Sequence, residues 1–132
     1  MSPREVFFLI GRSRHGSAIL WSDASDSPVR LPDSRARWEA IWTHRETLTE
    51  IAHSHPLGPE AFSAEDESTM RALVSAFGRP LLFSVVTPNG MVRRLAALGS
   101  YTETAVVPEP WWADVLRLAS HITHTNEAKE AS

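Results

Sequence analysis

Five consecutive apolar residues, Val6-Phe7-Phe8-Leu9-Ile10, stop at Gly11, and a second apolar-rich segment, Ser17-Ala18-Ile19-Leu20-Trp21, begins just after Gly16. Branched and aromatic side chains in runs this short, bounded by glycines and a polar turn, read as a buried hairpin. Residues 22–34 are rich in Ser, Asp and Pro and form a loop, with Asp33 or Ser34 placed to cap a helix. In that helix Trp38, Ile41 and Trp42 recur at i, i+3 and i+4, which turns both indoles toward a core and leaves Arg35, Arg37 and Glu46 elsewhere on its surface.

Residues 47–53 are β-compatible and run into the loop Pro56-Leu57-Gly58-Pro59. A second amphipathic helix is predicted over 63–77, with Met70, Leu73, Val74 and Phe77 on one face and Gly78-Arg79-Pro80 as its stop. Residues 81–86 and 91–98 flank Pro88-Asn89-Gly90 as another hairpin, and 101–107 form a further strand. Trp112, Val115, Leu116 and Ala119 line one face of a last helix, so that Trp112 is buried and adjacent Trp111 is partly exposed. The pattern predicts a single α/β (α+β) domain over 1–122, with a mixed or mostly antiparallel sheet flanked by helices, and a polar tail over 123–132.

The 132 residues suffice for one core. Cys is absent, which excludes disulfides, thiolate metal sites and cysteine nucleophiles. A formal charge of -3 leaves no basic footprint for nucleic acid. No apolar run approaches the roughly 18 residues of a membrane span, and no export signal follows Met1, so a cytoplasmic location is expected. Lys129 is the one lysine beside many arginines, a bias that suggests a bacterial source.

The segment His53-Ser54-His55-Pro56-Leu57-Gly58-Pro59-Glu60-Ala61-Phe62-Ser63-Ala64-Glu65-Asp66 carries the chemistry. Histidines two apart on an extended segment share a face, with Cα atoms roughly 6.6 Å apart, so both imidazoles can converge on one ion. The Pro-rich loop turns the chain back and lets Asp66, in the first turn of the next helix, add a carboxylate oxygen. Three such ligands leave the fourth position of a tetrahedral zinc open, as in catalytic sites, and zinc brings the pKa of a bound water down to about 7. Ser63 lies where its hydroxyl can face a developing oxyanion. Ser63 and Asp66 also suit an ordinary helix N-terminus, a cap followed by acids in the first turn.

His-x-His-Pro, six residues, then Ser-x-x-Asp resembles the JAMM motif of the JAB/MPN metallopeptidases at every defined position. The resemblance implies a JAB/MPN-like (cytidine-deaminase-like) architecture, Zn2+ on His53, His55 and Asp66, and Ser63 stabilising the tetrahedral intermediate. It also implies a Glu base before an apolar strand; Pro3-Arg4-Glu5 ahead of Val6 is similar to that segment and nominates Glu5, with Glu39 the fallback and Glu50 a further candidate. In the family a helix precedes that Glu, and the Trp112 helix is the candidate to cover the corresponding part of the sheet. The implied activity is that of a zinc isopeptidase or peptidase cleaving at the C-terminus of a ubiquitin-like or sulfur-carrier-like protein, by attack of zinc-bound hydroxide. Its partners would be that protein or its conjugate and E1/E2-like enzymes of the same pathway. The family also contains metal-free scaffolds, so a catalytically silent binding module is the alternative.

Overall fold

β1 (Val6–Ser13) is buried throughout its apolar run. Phe7 and Leu9 enter one apolar cluster, and Val6, Phe8 and Ile10 enter another. That division follows from the two-residue repeat of a strand and requires a sheet covered on both faces. The structure, a computed structural model, describes residues 2–30 and 32–125. Beyond β1 it contains β2 (Gly16–Ala24), α1 (Arg35–Thr43), β3 (Leu48–Ser54), α2 (Ala64–Phe77), β4 (Leu81–Val86), β5 (Met91–Ala97), β6 (Ser100–Ala105) and α3 (Trp111–Ala119). Residues 126–132 of the expected tail lie outside the described residues. No helix among the described residues is long and apolar enough to cross a membrane.

The strands form one sheet in the order β2-β1-β3-β4-β5-β6. Neighbours are antiparallel except β3 and β4, which run parallel and so need a crossover, supplied by α2. The mixed, mostly antiparallel sheet expected from the sequence is therefore the one the chain forms. Ile41 of α1 and Met70, Leu73 and Val74 of α2 cover one face. Trp112, Ala113 and Leu116 of α3 cover the other, against Val6, Phe8 and Val86. The C-terminal helix thus packs on the start of β1, the part of the sheet for which the Trp112 helix was the candidate cover.

Three expectations need correction. The first hairpin is buried only in β1, because β2 is an edge strand and half-exposed. α1 turns Arg37, Ala40 and Ile41 inward, leaving Trp38 38% and Trp42 54% exposed. The cause is Arg37: its guanidinium lies 5.0 Å over the Phe7 ring and bonds the Asp23 carboxylate at 3.1 Å and the Pro32 carbonyl at 2.8 Å. An arginine held by an ion pair, a carbonyl and an aromatic face can take the inward position of a short helix. On α3, Val115 is exposed, and Ala113 and Arg117 join Trp112 and Leu116 inside. Trp111 is exposed beside buried Trp112, as adjacent helical positions dictate.

Gly11 ends the apolar run because its neighbours leave no room for a side chain. A Cβ there would lie 2.8 Å from the Thr47 carbonyl oxygen and 2.4 Å from Leu20 Cδ1, and the backbone oxygen is fixed by the Arg12 amide at 3.0 Å. Gly11→Ala is expected to cost about 1–3 kcal/mol through overpacking. Urea unfolding measures this, and an unchanged midpoint would show that the crowding is relieved elsewhere.

Candidate metal centre

Strand direction assembles the centre. β1 and β3 are antiparallel with Phe7 opposite His53, so the start of β1 meets the end of β3. Glu5 precedes Phe7 by two residues and projects from the same face as His53. His55 lies just past β3, where its amide continues the pairing by donating to the Val86 carbonyl at 2.9 Å. Between the histidines, Ser54 faces the other way. Its Oγ accepts from the Val6 amide at 2.9 Å and contacts the Ser120 hydroxyl at 2.7 Å. α2 then begins with Asp66 directed back at the strand end.

The expected ligands converge. His53 Nε2 and His55 Nε2 are 3.0 Å apart, and Asp66 Oδ2 lies 3.3 Å from the first and 3.6 Å from the second. Atoms held about 2.0–2.1 Å from a tetrahedral zinc stand about 3.3 Å from one another, so the triangle has the size and donor chemistry for that ion. His55 Nδ1 lies 2.9 Å from the Pro59 carbonyl oxygen. A carbonyl only accepts, so Nδ1 carries the proton and Nε2 presents its lone pair to the cluster. Burial, with the neighbouring His53, lowers the His55 pKa and keeps its imidazole neutral.

Asp66 caps its helix and faces both imidazoles at once. Its Oδ2 accepts from the Ser63 amide at 2.7 Å, while Ser63 Oγ accepts from the Asp66 amide at 3.1 Å, a complete capping box. As a cap acceptor, Ser63 Oγ keeps its own proton available for donation. Glu5 joins them, with a carboxylate oxygen within 4.8 Å of a ring nitrogen of each histidine.

The two carboxyl groups are driven apart in acidity. Glu5, 6% exposed, is raised to about 7, chiefly by burial, with Asp66 and Glu65 adding to it and His53 and Arg37 opposing. Burial also works to raise Asp66, but the hydrogen bond and charge of His53, the Ser63 amide and His55 outweigh it and hold the group down to about 2. Opposed shifts of this kind leave one carboxyl group ionised and the other able to take up or release a proton near neutrality. Glu39 is not at the site: it pairs with Arg35 on the exposed side of α1. Glu50 faces the other side of the sheet, where Arg93 holds it at 2.8 and 3.0 Å and Ser84 bonds it.

These groups open into a cleft of about 590 Å³ between α1, α2 and the sheet. The family model for prokaryotic homologs of the JAB domain matches residues 3–100. The chain belongs to this family. The matched span takes in Glu5 and the whole His53 to Asp66 segment, and α3 lies beyond it. No curated protein matches the chain. Two contributors to this JAB-domain site escaped the sequence: the Pro59 carbonyl, a backbone group without a signature, and Arg37 in the cleft wall, whose Nε is buried without a partner. The spacing of Arg37 four residues before Ile41 was the one available hint.

The Glu5 shift has a measurable sign. Between about pH 4.5 and 7 the folded chain holds a proton that the unfolded chain has released. The stability contributed by Glu5 is therefore complete below pH 4.5 and lost as the pH rises through 7. In metal-free protein, Glu5→Gln is expected to equal the parent near pH 4 and to exceed it at pH 8 by on the order of 2–3 kcal/mol. Urea unfolding at the two pH values checks this; a variant less stable than the parent at pH 8 would refute a desolvated Glu5.

Proposed function

We propose that this JAB-domain chain is a zinc-dependent peptidase or isopeptidase that cleaves at the C-terminus of a ubiquitin-like or sulfur-carrier-like protein. The observation that carries the reading is the triangle of His53 Nε2, His55 Nε2 and Asp66 Oδ2, with sides of 3.0, 3.3 and 3.6 Å. His53, His55 and Asp66 would hold the ion, which when bound supplies Lewis acidity and brings the pKa of water toward neutrality.

The chain's own groups account for the proton transfers. Glu5 accepts a proton from the attacking water, whose oxygen bonds to the carbonyl carbon. Ser63 donates its hydroxyl hydrogen to the oxyanion that develops. As the C–N bond breaks, Glu5 returns the proton to the leaving amine, so the products are a carboxylic acid and an amine with no acyl-enzyme between them. A carboxyl group raised to about 7 suits both halves of this cycle at neutral pH. The substrate class rests on the resemblance of the motif, as do the E1/E2-like enzymes that would act in the same pathway.

Purified protein mixed with a ubiquitin-like fusion is expected to release the C-terminal moiety, and a chelator to abolish that release. Glu5→Gln should retain zinc and lose about a hundredfold or more in rate, whereas Glu39→Gln should match the parent. His53→Ala should lose zinc, as read by metal analysis. Substoichiometric zinc unaffected by His53→Ala would favour a catalytically silent scaffold instead.

A further inference from the structure

Arg37 is the residue of the cleft wall whose bonding is incomplete. Its guanidinium bonds the Asp23 carboxylate at 3.1 Å and the Pro32 carbonyl at 2.8 Å, both through Nη2. Nε has no partner, and among the described residues it is the one buried side-chain nitrogen or oxygen of which that is true. Folded chains rarely leave such a donor unmet, because nothing offsets its lost hydration. The side chain nevertheless lines the cleft together with Glu5, His53 and Ser63, where an acceptor could arrive with a ligand.

Strand register places this guanidinium beside the histidines. Phe7 pairs with Asp23 on one side and with His53 on the other, and directly opposed residues share a face of the sheet. Asp23, Phe7 and His53 therefore form a row across β2, β1 and β3, with the Arg37 guanidinium 5.0 Å from the centre of the middle ring. It stands one to two strand spacings to the side of His53, about 5–10 Å, a distance that two or three residues of an extended peptide span at about 3.3 Å each. Its surroundings also select the charge of the acceptor. Asp23 already balances Arg37, and Glu5, Glu65 and Asp66 line the same cleft, so a further carboxylate would enter among acids. A peptide carbonyl accepts from a guanidinium without adding charge.

Resting on the proposed peptidase reading, we infer that Arg37 is a main-chain anchor, its guanidinium donating to a backbone carbonyl of the substrate two or three residues before the scissile one. The acyl side is the part common to every substrate of that reading, whereas the leaving amine varies. A bond to the main chain reads no side chain. It therefore holds an extended tail of glycines as firmly as one of larger residues, and it sets which bond of the tail reaches the His53, His55 and Asp66 cluster.

Zinc-loaded protein titrated calorimetrically with the hydroxamates of N-acetyl-glycine and N-acetyl-triglycine tests the inference without requiring turnover. The longer compound is expected to bind about tenfold or more tighter, the scale of a hydrogen bond to a charged donor. Replacing its two outermost amides, one at a time, by a trans alkene should abolish the gain at one of them. The Arg37 Nε–H resonance of the parent should move with the amide compound and stay in place with that alkene. Arg37→Lys keeps a cation for Asp23 but lacks the planar fork; it should retain zinc while the amide and alkene compounds come within about twofold of each other. Succinyl-glycine hydroxamate, which carries a carboxylate over a similar distance, should gain nothing over the acetyl-glycine compound. No gain from length, an unmoved Nε–H resonance, or an amide preference that survives in Arg37→Lys would overturn the anchor and leave the metal reading standing. A gain for the succinyl compound alone would overturn the carbonyl in favour of a carboxylate. Absence of zinc together with failure of every hydroxamate would overturn both readings.

Discussion

The hydroxyl of Ser54 is the joint on which the centre depends. It sits between two histidines and faces away from them, accepting from the Val6 amide and meeting Ser120 at the end of α3. With zero exposure, it makes its hydrogen bonds where an unmade one is costly. The contact ties the first residues of β1 to the last residue of β3 and fixes both to α3. Nearby, the Arg4 amide donates to the Ser120 carbonyl and Glu5 exchanges backbone bonds with Ser25 and Ser27. The proposed base is thus held by backbone on three sides. That suits a group whose distance from a nucleophile must be kept within a fraction of an ångström.

On this frame the acidity of the two carboxyl groups follows from surroundings and not from residue type. Glu5 and Asp66 are both carboxyl groups beside the same imidazoles, yet one is raised and the other lowered. Asp66 receives an amide from Ser63 and the close approach of His53; Glu5 has mainly desolvation. Hydrogen bonds to the charged form stabilise it, and removal from water destabilises it. Glu50, also buried, lies on the opposite face of the sheet and is bonded there by Arg93 and Ser84.

Much of this was legible in the residues. The run of residues 6–10 announced a buried strand, and the spacing from His53 to Asp66 placed three donors that the fold does bring together. The capping signature of Ser63 and Asp66 was visible as well, and it does not compete with the convergence on the histidines, because one oxygen faces both the helix and the imidazoles. The orientation of α1 was not legible. Periodicity places Trp38 and Trp42 inside because it weighs apolar character alone, and Arg37 displaces them through contacts with Asp23 and Phe7, which come from distant parts of the chain. The parallel pairing of β3 and β4 was equally hidden, since no local pattern distinguishes it from an antiparallel one.

The capping box has a consequence for how an ion would be received. Because Asp66 is already oriented by the first turn of α2 and His55 by the Pro59 carbonyl, loading would involve little rearrangement of the polypeptide. Affinity would then be spent on coordination and hardly at all on ordering the chain. The domain would tolerate gain and loss of an ion as a reversible event in the folded state, unlike small metal-nucleated modules that come apart when stripped.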